Sequence, residues 1–103
     1  MNIKHCIIFN SNQEIKRRTS GAYRFANQLE SMGWRCTVVD WAADWPIDQL
    51  AEYLDAMVND DTVLFAFSYT WMKYWWVEET IHKIKERYPG RKFIAGGQQF
   101  YQH

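Results

Sequence analysis

With 103 residues the chain has room for one domain, and an apolar content of 48% places it among globular rather than disordered sequences. Twelve basic residues balance twelve acidic ones, and a formal charge of zero argues against a dedicated nucleic-acid binder. No apolar run approaches the ~20 residues of a membrane helix, and "MNIKHCIIFN" lacks the pattern of a secretory signal, so a cytoplasmic protein with neither membrane nor nucleic-acid partners is expected.

The chain opens with "KHCIIFN", a short apolar run rich in β-branched residues, as a strand covered on both faces is. A polar loop, "SNQEIKRRTS", follows. Ala22, Phe25, Ala26, Leu29 and Met32 then form one helical stripe. Thr19 or Ser20 can cap its start, and Gly33 stands where a helix stops. "RCTVVDW" reads as a second strand. Pro46 opens a second helix with Ile47, Leu50, Leu54, Met57 and Val58 on its apolar side, ended by "NDD". "TVLFAFSYT" is a third strand. Val77, Ile81, Ile84 and Tyr88 mark a third helix, terminated by Pro89-Gly90, and "KFIAGG" is a fourth strand.

Strictly alternating strands and helices imply parallel pairing through right-handed crossovers. The expected fold is a three-layer α/β/α sandwich, flavodoxin-like in its Rossmann-like parallel sheet, with strand order 2-1-3-4 in one domain spanning 1–103. Such a domain usually adds a fifth strand and a closing helix, so the chain reads as truncated before a fifth strand. An incomplete sheet would leave an open edge through which copies self-associate. Cys6 and Cys36 both lie in strand-like runs and read as buried, reduced thiols. Two cysteines are too few to build a four-cysteine zinc site or to hold an iron–sulfur cluster alone.

Open parallel sheets bind ligands beyond the C-terminal strand ends, where the strand order reverses. Here that place lies between the first and third strands. It gathers the loop from Asn10 to Ser20, the turn at Ser68 and, next door, Gly96-Gly97. Adjacent glycines can serve as a plain tight turn, or they can let another group approach the backbone. Asp40, ending the second strand, suits a hydrogen bond to a ribose or an amide as well as a local capping role. Lys16, Arg17 and Arg18 precede a helix N-terminus, where an anion is favoured, although a solvated loop explains them too. Trp71, Trp75 and Trp76 follow the Ser68 turn and suit either shelter for a flat cofactor or packing. Glu78 and Glu79 read as an exposed helix face. No Ser/His/Asp or Cys/His arrangement, G-x-G-x-x-G or Walker loop is found.

Ser68-Tyr69-Thr70 followed, one helix and one strand later, by Gly96-Gly97 resembles the S-x-L…GG part of a cobalamin-binding signature, with Thr70 in place of leucine. The longer stretches "RRTSGAYRFANQLESMGWRCTVVDWAADWPIDQLAEYL" and "TVLFAFSYTWM" resemble the N-terminal cobalamin-binding domain of cobalamin-dependent radical S-adenosylmethionine proteins. The resemblance runs over nearly all of the chain. It implies that the cofactor's nucleotide tail lies beside the sheet near Ser68, Thr70, Gly96 and Gly97, with Thr19, Ser20 and Asp40 as further cofactor-binding candidates. It also implies a radical catalytic domain, downstream or in trans, as partner.

The sequence departs from the older cobalamin motif D-x-H-x-x-G. The loop "NSNQEIKRRTSGAY" contains no histidine, and His5, His82 and His103 lie elsewhere, so no metal ligand from this chain is expected. The cluster motif C-x-x-x-C-x-x-C is not found, and this chain alone is not expected to catalyse a reaction. An alternative from another class is an interaction or scaffold domain of the same fold that has lost the cofactor. A free-standing phosphate-binding enzyme finds only the basic loop in its favour.

Overall fold

In a computed structural model, residues 3–10, 20–40, 42–68, 74–96 and 101–102 are described. In chain order the elements are β1 (His5–Asn10), α1 (Ser20–Ser31), β2 (Arg35–Val39), a short 3-10 turn (Ala42–Asp44), α2 (Ile47–Asp55), β3 (Thr62–Ser68), α3 (Tyr74–Arg87), β4 (Lys92–Gly96) and β5 (Tyr101–Gln102). The sheet order is β2-β1-β3-β4-β5. The first four strands are mutually parallel and β5 is antiparallel to β4. The expected α/β fold and the 2-1-3-4 order are thus present.

Strand alternation divides the core in two. Ile7, Phe9, Val39, Phe65, Phe67, Phe93 and Ala95 face α2 and α3, where Leu50, Leu54, Trp76, Val77, Ile81 and Ile84 cover them. Cys6, Ile8 and Ala66 face α1, which offers Ala22, Ala26 and Leu29. On the α2/α3 side the phenyl rings form a layer. Phe65 stacks on Phe93 with centroids 5.5 Å apart, and Phe9 lies 4.8 Å from Phe67. β1 is buried along its whole length, as an inner strand of a doubly covered sheet is.

The end of α1 shows why one stripe residue leaves the core. Trp34 N–H donates to the Leu29 carbonyl and Gly33 N–H to the Glu30 carbonyl, each at 3.0 Å. Gly33 adopts φ 93°. This is a Schellman stop, and it needs a residue without a β-carbon at the left-handed position. Met32 is the cap residue of that motif and is 69% exposed, whereas Trp34 returns to pack on the α1-side core. α2 is shorter than its apolar pattern, ending at Asp55, and Met57 and Val58 pack on the core from the following turn.

Two further differences concern the sheet edge and the thiols. The sequence reading ended the sheet at the fourth strand, yet Tyr101 and Gln102 pair with Ala95 and Ile94. An antiparallel neighbour needs only a short return, while a parallel neighbour would need a crossover of about a dozen residues. Cys6 and Cys36 are free thiols and register partners on β1 and β2. Cys6 is buried, but Cys36 is only half-buried because β2 is the edge strand. No helix among the described residues is long and apolar enough to cross a membrane.

Candidate functional site

The C-terminal edge of the sheet brings four strand ends into one row. Asn10, the last residue of β1, is the register partner of Ser68, the last residue of β3. Ser68 is in turn the partner of Gly96, the last residue of β4. On the other side, Phe9 pairs with Val39, so Asp40 follows β2 beside Asn10. The row Asp40–Asn10–Ser68–Gly96 therefore crosses the switch point between β1 and β3, where the two crossovers leave the sheet in opposite directions. By alternation Asn10, Ser68 and Gly96 lie on the α1 side, since Phe9, Phe67 and Ala95 face the other core.

Polar side chains hold the β1–β2 part of the row. Asn10 is 1% exposed, and its Nδ2 donates to Asp40 Oδ1 at 2.8 Å. The Tyr23 hydroxyl, reaching over from α1, donates to Asp40 Oδ2. A buried amide without a partner would be costly, and the carboxylate supplies one. An ionised carboxylate has about four acceptor positions, so Asp40 keeps capacity for a further donor. Asp40, which from the sequence suits a ribose or amide contact or a local capping role, here joins the β1, β2 and α1 ends through these bonds. Asn10 and Tyr23 escaped the sequence reading. The available signal was a polar residue closing an otherwise apolar, fully buried strand.

Ser68 is half-exposed at the end of β3, next to a glycine backbone on β4. The two residues that the sequence pairs by spacing are therefore adjacent in space. Ser20 begins α1, while Thr19, Thr70, Gly97 and Trp71 lie outside the described residues, as does the basic run Lys16–Arg18. Trp76 belongs to the core, edge-on to Phe67 at 6.3 Å, whereas Trp75 is 55% exposed.

The described histidines are elsewhere. His5 starts β1 at the opposite end of the sheet. Its Nδ1 lies 2.8 Å from Thr62 Oγ1 and its Nε2 2.9 Å from Thr37 Oγ1, so the ring ties β1 to both neighbours. Burial, reinforced by the Arg35 charge and opposed by Asp61, pushes the His5 pKa below the usual imidazole value. His82 lies on α3 with its Nε2 3.2 Å from Glu86 Oε1, and both side chains are exposed. Burial also raises the thiol pKa values of Cys6 and Cys36, which keeps them protonated and poorly nucleophilic. Among the described residues no group of three or more His, Cys, Asp or Glu side chains is placed to hold a metal ion.

The donor set at the row suits an organic ligand with polar edges more than a metal ion. It offers one hydroxyl, one carboxylate and a strand end without a side chain, while the Asn10 amide is buried beneath them. No protein-family model matches the chain, nor does any curated protein or solved structure.

Proposed function

We propose that the chain binds cobalamin as the N-terminal cofactor domain of a radical S-adenosylmethionine enzyme, with the nucleotide tail held beside the sheet at Ser68 and Gly96. The observation that supports this reading is the register pairing of Ser68 with Gly96 at the switch-point edge. A hydroxyl next to a backbone lacking a β-carbon gives a flat heterocycle one hydrogen-bond donor and room to lie against the sheet. Bound cobalamin supplies cobalt-centred chemistry, and this chain supplies the grip. Ser68 orients the tail, Gly96 leaves the space, and Asp40, positioned by Asn10 and Tyr23, accepts from amide or ribose groups at the rim. No described histidine stands at this edge, so the reading includes no imidazole on the cobalt.

A scaffold domain without cofactor is the second reading, favoured by the exposure of Trp75. Titration with hydroxocobalamin followed by gel filtration separates the two. The cofactor domain co-elutes with the colour at one equivalent. Colour that elutes wholly in the small-molecule volume, at protein concentrations on the order of tens of micromolar, overturns the proposal.

A further inference from the structure

A second surface lies on the α2/α3 face of the sheet, between the start of α2 and the outer side of α3. It is an open groove of about 1050 Å³ whose walls carry Trp45, Trp75 and Trp76. Trp45 is braced by Tyr53, with ring centroids 5.2 Å apart, and Trp75 stands 55% exposed on the other wall. Five carboxylates line the groove against a single lysine. That lysine, Lys83, is already engaged with Asp48 at 3.0 Å, and Glu86 with His82. Asp44, Glu78 and Glu79 make no ion pair among the described residues and leave the groove negative beside an exposed indole.

From this surface we infer a docking site for an arginine-bearing segment of a partner protein. The inference does not rest on cofactor binding at the strand ends. A guanidinium is planar, stacks on an indole face, and forks onto a carboxylate with two parallel hydrogen bonds. Trp75 beside Glu78 and Glu79 offers both halves of that recognition. A polypeptide also brings carbonyl acceptors. Trp76 lines the groove, and its indole Nε1 is buried with no acceptor among the described residues, a costly state. The groove volume is at the upper end of small-ligand sites and accommodates several side chains of an extended segment. Exposed tryptophans are also the residues that most often dominate a binding interface.

The test uses fluorescein-labelled Gly-Arg-Gly-Arg-Gly-Arg and its lysine counterpart, titrated with the protein and read by anisotropy. The expected result is saturable binding, tighter for the arginine peptide, weakened about 10-fold by Trp75→Ala and several-fold by Glu79→Gln. Glu52→Gln, an exposed carboxylate of α2 outside the groove, should leave it unchanged. Circular dichroism of each variant checks that the fold is kept, and Trp75→Phe provides a milder probe at the same position. Equal binding of both peptides, or equal losses from Glu52→Gln and Glu79→Gln, overturns the inference, because charge alone would then explain the signal. A salt-sensitive dimer that Trp75→Ala dissociates also overturns it, since the occupant would be a second copy of this chain.

Discussion

Ser68 and Gly96 are register partners at the ends of β3 and β4, although 27 residues separate them in the sequence. A parallel sheet makes this possible because a helical crossover returns each strand to the same end of its neighbour. The pair therefore sits at one edge of the sheet with Asn10 and Asp40, and the consequences of altering it can be separated from the stability of the fold.

Gly96→Val should leave the fold nearly intact and damage ligand binding. Valine is favourable in a strand, so the expected stability cost is about 1 kcal/mol or less. If the cofactor tail lies at this edge as proposed, a branched side chain beside Ser68 takes up its space. Cobalamin affinity is expected to fall by more than about 10-fold. Melting curves and titrations on the same samples check this. Unchanged affinity returns the glycine to a plain strand end.

Ser68→Ala should act more weakly and only on binding. One neutral hydrogen bond is lost, worth about 1 kcal/mol, or roughly a five-fold rise in Kd. Its melting temperature should stay close to that of the parent, since Ser68 is half-exposed.

The fold was legible in the sequence because its signals are local and repeated. Four apolar runs separated by three amphipathic helices leave few parallel topologies, and the right-handed crossover rule selects among them. The Ser68–Gly96 pairing followed from counting one crossover. What was not legible depends on contacts between distant strands. Nothing near Asn10 announces that Asp40 will accept from it or that Tyr23 will donate to the same carboxylate, and nothing near His5 announces Thr37 and Thr62. β5 was missed for another reason: a two-residue strand has no periodicity to read. Met32 was misplaced because the Schellman turn at Gly33 ends α1 one residue before it.

If cobalamin binds at the strand-end row, its absorption spectrum should not depend on the histidines. His5 is at the far end of the sheet and His82 lies on exposed α3. Replacing His5, His82 or His103 singly should leave the bound spectrum unchanged. A shift with any one of them would place an imidazole on the cobalt and remove that part of the reading.

His5 should instead reveal itself in the dependence of stability on pH. Its ring is fully buried at the head of β1. One ring nitrogen lies against the Thr62 hydroxyl and the other against the Thr37 hydroxyl, an arrangement that satisfies a neutral ring acting once as donor and once as acceptor. Burial is the main reason that its pKa is lowered, and Arg35 adds to it while Asp61 opposes. The unfolded chain therefore takes up the His5 proton at a higher pH than the folded one. Stability from this group is fully present above the unfolded imidazole pKa of about 6.5 and declines as pH falls below it, until the folded ring also protonates. Asp55 acts in a separate window. Hydrogen bonds from Tyr88 and Arg87 lower its pKa, so its contribution is present above the ordinary carboxylate range and is lost as pH falls through the folded value. The interval between about pH 6.5 and 5 thus isolates the histidine from the carboxylate. Chemical denaturation at pH 7.5 and 5.2 should show a loss of stability in the parent and a smaller one in His5→Gln. At pH 7.5 the substitution itself should cost about 2–3 kcal/mol, because the Thr37 and Thr62 hydroxyls lose a fitted partner in a buried site. An equal pH dependence in parent and variant would show that His5 does not titrate with folding.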